Sequence, residues 1–263
     1  MDAYLPIRKV PLLGSGISSS AFGVQMEKRY ANNRRYWDEV GVVGNNYLLV
    51  PNKDVSDLAD TLCQKSDYNW TKHKTFFNGR NYMTSYITED CKAEISQGDD
   101  IALGMSFWNS YDGSTALHFR LFVIRLICDN GMISKDNFLA YRFRHDKSSE
   151  GFEEDISRAV NTINTKSKDS LDRFVTNART LMNPIDMDNV AHIRHEYLKD
   201  IPTGVFGKIM DKYLEELDAN TGWEFLNACT NVLWHNKKQT IADFKHNTLC
   251  VDGMLEYAGE HLA

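Results

Sequence analysis

Proline is scarce in this chain, 5 of 263 residues, which excludes a long polyproline linker. Long apolar runs are absent too. None approaches the roughly 20 residues that cross a bilayer, so no membrane partner is expected. The opening Met1-Asp2-Ala3-Tyr4-Leu5-Pro6 lacks a charged stretch followed by an apolar one. A signal peptide is therefore not expected, and the cytoplasm of the producing cell is the expected location. The five cysteines, Cys63, Cys91, Cys128, Cys229 and Cys250, are odd in number and form no Cys-x-x-Cys pair. They are read as free, mostly buried thiols rather than as a zinc ribbon or redox motif. An excess of positive charge is lacking as well. The net charge is −6, which argues against indiscriminate coating of DNA.

Catalytic signatures are equally absent. There is no Gly-x-x-x-x-Gly-Lys-Ser/Thr loop, no Gly-x-Ser-x-Gly elbow and no His-Glu-x-x-His. No catalytic residue, cofactor or metal is assigned on this basis. His192 and His195 can share a helical face beside Glu196, but a metal needs two more ligands. They are read as a solvated face. Asp112, His118, Asp129 and His145 stand as an alternative, a metal-dependent nucleic-acid hydrolase, if folding brings them together. A non-enzymatic scaffold or host-protein antagonist is a second alternative.

What is present is an ordinary supply of core formers, 42% hydrophobic with Phe 13, Tyr 12 and Trp 5, enough for a sizeable core. Charge is unevenly placed. Residues 1–150 carry 18 basic and 18 acidic side chains, and residues 151–263 carry 12 and 18. Residues 1–35 read as a basic, flexible arm: Arg8, Lys9, Lys28, Arg29, Arg34 and Arg35 face only Asp2 and Glu27, and Gly14 to Ser20 is rich in breakers. Residues 36–263 read as a single domain.

The expected fold class is α+β, because strand patterns precede helix patterns. Residues 36–146 predict an antiparallel, hairpin-built sheet. Turns are expected at Gly44-Asn45-Asn46, before a strand at 47–50, at Asn78-Gly79, and at Asp112-Gly113, whose residues tolerate positive φ. Residues 101–108 alternate as a strand, and 138–145 reads as the last one. A helix over 55–63, capped by Asp54, interrupts the set through Val55, Leu58, Ala59 and Leu62. Residues 151–235 predict helices, with a polar break between Ile163 and Leu171. Thr221-Gly222-Trp223-Glu224 fits a capping box. The segment after Lys238 gives no clear pattern. Asp112, Gly113, Arg125, Cys128 and Asn130 are read as structural first, with Cys128 buried.

Basic residues beside aromatics on strands are the better functional signal. Single-stranded nucleic acid is held by basic grooves with aromatic platforms. The candidate contacts are Arg34, Arg35, Lys72, Lys74, Arg120, Arg125, Arg142 and Arg144, with Trp70 and Phe76 among the nearby rings.

The stretch Trp108-Asn109-Ser110-Tyr111-Asp112-Gly113-Ser114-Thr115-Ala116, followed by Ile124-Arg125-Leu126-Ile127-Cys128-Asp129-Asn130-Gly131-Met132, resembles a phage and plasmid family known as domain of unknown function 932. Val42-Val43-Gly44-Asn45-Asn46-Tyr47 and Trp223-Glu224-Phe225-Leu226-Asn227-Ala228 agree with it, as does Arg144-His145. The resemblance spans about residues 40–235. Tyr111 stands where that family often has His, so a catalytic His is not implied there. The resemblance implies a mobile-element setting without a mechanism. The expectation is a phage-type protein of DNA metabolism that binds single-stranded DNA and promotes annealing or recombination as a homo-oligomer.

Overall fold

The computed structural model describes residues 2–12, 21–135, 140–142, 150–215, 220–237 and 239–262. In chain order the elements are β1 (Ile7–Pro11), β2 (Ala21–Arg29), β3 (Arg35–Gly44), α1 (Asn52–Lys65), β4 (Thr71–Phe77), β5 (Asn81–Ser96), β6 (Asp99–Ser110), β7 (His118–Arg125), β8 (Asn130–Met132), β9 (Ala140–Arg142), α2 (Glu150–Thr180), α3 (Met187–Glu196), α4 (Thr203–Glu215), α5 (Gly222–Trp234) and α6 (Ile241–His261). The α+β expectation holds. Two sheets form, one in the order β1-β2-β3 and one in the order β4-β5-β6-β7-β8, with β9 pairing β7. Apart from β9, which skips β8 to pair β7, neighbours in sequence are neighbours in each sheet, as in a meander. Among the described residues no helix is long and apolar enough to cross a membrane.

The chain divides into two compact units. The first comprises residues 1–86, 105–120 and 140–164. Its three-stranded sheet buries Val24, Met26, Val40 and Val43 around Tyr111, with Ile7, Phe22 and Tyr47 packed against them. The reading of residues 1–35 as an arm is corrected here: Ile7 pairs with Met26, and Arg29 with Arg35. Alternating apolar residues at 22, 24 and 26 give β2 a buried face, and that burial outweighs the basic composition. The expected strand at 47–50 does not form. Lys9 Nζ donates to the carbonyls of Gly44, Asn45 and Tyr47 at 2.8, 2.6 and 3.0 Å, which fixes that stretch as a turn. Helix α1 buries Val55, Leu58, Ala59 and Leu62 as its spacing predicts. It begins three residues earlier than expected, behind Pro51, and Asp54 lies in its first turn rather than at the cap.

The Asp112-Gly113 turn is longer than a two-residue hairpin. Gly113 has φ +76°, Asp112 Oδ1 accepts from Ser114 N at 3.0 Å, and Ser110 Oγ donates to Thr115 O at 2.8 Å. Asn52 ties the unit together: its Nδ2 donates to Ala3 O at 3.0 Å, and its Oδ1 accepts from Asn109 Nδ2 at 3.0 Å.

The second unit comprises residues 87–104, 121–139 and 165–263. Helix α5 is buried on several faces, as expected, with Trp223, Phe225, Leu226, Ala228, Cys229, Leu233 and Trp234 at 2% exposure or less. Thr221 caps it by accepting from Glu224 N. Gly131 admits the Trp234 ring, which would stand 2.6 Å from an added Cβ, and Gly104 admits Phe122 at 2.4 Å. The segment after Lys238 is α6, begun by a reciprocal capping box between Thr240 and Asp243.

Helix α2 runs without the expected break at 164–170. Ser167 and Ser170, 0% and 1% exposed, occupy the buried stripe between Ile163 and Leu171. Small hydroxyls at helical spacing read as a polar gap in sequence yet pack as core.

Candidate nucleic-acid interface

The hairpin joining β2 to β3 gathers exposed cations and aromatics at one place in the first unit. The local sequence Lys28-Arg29-Tyr30-Ala31-Asn32-Asn33-Arg34-Arg35-Tyr36-Trp37 dictates it. Asn33 adopts φ +66°, a left-handed conformation that asparagine tolerates better than most residues. Tyr30 N then donates to Arg34 O at 2.9 Å and closes the loop.

Directly opposed residues share a sheet face. The register pairs Lys28 with Tyr36 and Met26 with Asp38 on one face. On the other it pairs Arg29 with Arg35, Glu27 with Trp37, and Gln25 with both Arg8 and Glu39. The first face carries a stacked pair of rings at its tip, Tyr30 on Tyr36, with centroids 4.3 Å apart and planes at 27°. Tyr30 is 54% exposed. The second face carries Trp37, with the Arg8 guanidinium 3.9 Å from its ring centroid.

Charge at this tip is unbalanced. Arg29 and Arg35 oppose each other, and like charges so placed repel. Glu27 answers Arg35 at 3.3 Å, and Lys28 pairs with Asp38. Arg29 and Arg34 form no side-chain ion pair among the described residues. Three guanidiniums thus meet one carboxylate, and the tip attracts anions.

The other sequence-chosen cations are scattered. Lys72 is exposed on β4, reaches Ser56 Oγ at 3.3 Å and lies 5.9 Å from the Tyr86 ring centroid; Lys74 is half-buried on the same strand. Arg120 and Arg142 sit on the paired strands β7 and β9, with Arg142 opposite His118. Arg144 and His145 lie outside the described residues.

Arg125, read both as structural first and as a nucleic-acid contact, takes the structural role. Its Nε and Nη2 donate to Asp99 Oδ1 and Oδ2 at 2.6 and 2.8 Å, and Trp223 Nε1 donates to Asp99 Oδ2 at 2.7 Å. Both charged side chains are largely buried, at 15% and 9% exposure. A guanidinium committed in this way supports the interior of the second unit and offers little to a phosphate.

His118 is also informative. Its Nδ1 lies 2.8 Å from Ala116 O, and a carbonyl only accepts, so Nδ1 carries the proton. Its ring stacks on Trp108 with planes 6° apart. Burial pushes its pKa down to about 4, and the charges of Arg120 and Arg142 add to that. Among the described residues, no three His, Cys, Asp or Glu side chains are grouped to hold a metal ion.

The cysteines are free. Burial pushes the Cys63 thiol up to about 12 and raises Cys91, Cys128 and Cys229 too. Cys128 is half-buried rather than fully buried. Thiols so protonated are poor nucleophiles.

These features define an α+β protein of two antiparallel sheets, with an exposed cationic and aromatic hairpin on the smaller sheet. The chain belongs to the family described as domain of unknown function (DUF932), whose model matches residues 39–251. Comparison with curated proteins and with solved structures gives no match.

Proposed function

We propose that this protein binds single-stranded DNA through the β2–β3 hairpin and promotes strand annealing or recombination as an oligomer. The observation that carries the reading is exposed Tyr30 stacked on half-buried Tyr36 beside Arg29, Arg34 and Arg35, whose side chains are answered by Glu27 alone among the described residues. Unpaired bases stack on exposed rings and duplex bases do not, so such a tip favours single strands. Arginines at the same place supply phosphate contacts. Annealing needs a neutralised backbone and accessible bases rather than bond chemistry. A net charge of −6 makes the binding modest and steep in salt. The test is fluorescence anisotropy with labelled single- and double-stranded oligonucleotides over a salt series, beside a mass measurement of the assembly. Preferential binding of the single strand at low salt is expected, lost in the Arg29→Ala, Arg34→Ala, Arg35→Ala triple variant. Absence of binding by the unaltered protein at low salt overturns the function. Undiminished binding by the triple variant overturns the site.

A further inference from the structure

Helices α3 and α4 leave an apolar groove of about 820 Å³ in the second unit. Each helix uses one stripe for the core and turns another outward. In α3, Val190 and Ile193 are buried, while Met187 is 55% exposed and Ala191 is exposed. In α4, Ile209 and Tyr213 are buried, while Phe206 and Met210, one turn apart, are half-buried and line the groove. Met187, Ala191 and Arg194 fall on one α3 face at intervals of four and three residues, a stripe about 10 Å long at 1.5 Å per residue. The floor is therefore aliphatic, aromatic and rich in flexible methionine, a composition that adapts to apolar side chains of varied shape.

The rim is cationic although this half of the chain is acidic. The Arg194 guanidinium lies 4.9 Å from the Phe206 ring centroid and donates one N–H to Leu198 O. Among the described residues its remaining N–H groups have no partner; Lys199 makes no hydrogen bond or ion pair there, although its charge helps hold the Glu196 carboxyl below the usual range. Glu196 is engaged by His195, Nδ1 to Oε1 2.8 Å, so the rim carboxylate is partly spent within the rim. An apolar floor about two helical turns long, edged by Arg194 and Lys199 against the single carboxylate of Glu196, complements a helix whose apolar stripe is bordered by carboxylates.

We propose that the α3–α4 groove docks an acidic amphipathic helix of another polypeptide, with two or three apolar anchors seated on Met187, Ala191, Phe206 and Met210, and carboxylates facing Arg194 and Lys199. The site is separate from the β2–β3 hairpin and does not depend on nucleic-acid binding.

The experiment uses the full chain labelled at its methionine methyl carbons. The probe is a synthetic helical peptide of about 18 residues with Leu at i, i+3, i+4 and i+7 and Glu on its flanks. A Lys-flanked counterpart and lauric acid serve as comparisons. The acidic peptide is expected to shift the Met187 and Met210 methyl resonances and to bind at least tenfold more tightly than the Lys-flanked one. Lys199→Glu, which breaks no hydrogen bond or ion pair among the described residues, should narrow that ratio several-fold. Ala191→Trp, which fills the groove and keeps the rim charges, should abolish the shifts while the circular dichroism spectrum stays unchanged. Equal binding of the two peptides, a ratio unmoved by Lys199→Glu, or methyl shifts with lauric acid alone overturns the proposal. So does a change in assembly mass on Lys199→Glu, which would make the groove a contact between copies of this chain.

Discussion

Arg125 and Asp99 meet through two parallel hydrogen bonds, at 2.6 and 2.8 Å, with both side chains largely out of water. Removing Arg125 leaves the Asp99 charge largely buried with only the Trp223 N–H to answer it, and losing one partner of such a pair typically costs about 3–5 kcal/mol. Arg125→Ala should therefore shift the urea midpoint strongly downward. Oligonucleotide affinity per folded molecule should stay the same, and an affinity loss without a stability loss would return Arg125 to the binding surface.

The hairpin tip predicts a different signature. Tyr30→Ala removes an exposed ring and should weaken single-strand binding by about tenfold, within the roughly 1–3 kcal/mol that one base–aromatic stack contributes. Arg29→Ala should instead reduce the slope of log affinity against log salt by about 0.7. Neither change should move the thermal midpoint by much, since both side chains are exposed. Anisotropy titrations at four or five salt concentrations separate the two effects.

His118 sets a pH dependence. Its folded pKa, about 4, lies below the ordinary value of about 6.5, so the unfolded chain takes up a proton first as pH falls. The contribution of neutral His118 is intact above about 6.5, declines as pH falls through 6.5 toward 4, and levels off below. Unfolding of the native protein and of His118→Gln at pH 7 and pH 4.5 isolates this from the carboxylates. The native protein should lose more stability between the two pH values. Parallel losses would show that His118 does not carry the effect.

Gly113, at φ +76°, predicts a backbone penalty without a steric one, because the nearest atom to an added Cβ is Tyr47 Cε2 at 3.9 Å. Gly113→Val should destabilise by about 1–3 kcal/mol, and Gly113→Asn by less, as asparagine visits this region more readily. Equal stability of the two variants in urea would place the glycine's role elsewhere.

Much of the fold was legible because its signals are local. The stripe Val55, Leu58, Ala59, Leu62 specifies α1, Asn78-Gly79 specifies the β4–β5 turn with Gly79 at φ +96°, and Thr221 specifies the start of α5. The strands in residues 7–29 were hidden by basic composition and by the breakers at 14–20. Their pairing depends on partners distant in sequence, with Val24 opposite Gly41 and Phe22 opposite Val43. In the site, Arg34 and Arg35 were visible as cations. The Arg-Tyr pair repeated on either side of Asn32-Asn33 was the unread signal for Tyr30 and Tyr36. Arg125 was read as structural first yet also kept among the nucleic-acid contacts, because Asp99 lies 26 residues away and Trp223 farther still, so nothing local marks the arginine as neutralised.

The three-residue strand β8 is held from the far end of the chain. Ile133 N donates to Asn247 Oδ1 at 3.0 Å across 114 residues, and Asn247 Nδ2 donates to Gly131 O at 2.8 Å. During translation, at roughly 5–20 residues per second, Asn247 emerges on the order of ten seconds after the strand it completes. Through that interval the amide of Ile133 and the carbonyl of Gly131 have only water or a chaperone to satisfy them. The last helix therefore acts as a clasp that closes the second unit late, and a ribosome stalled before residue 247 presents an unfinished sheet to the quality-control machinery of the cell.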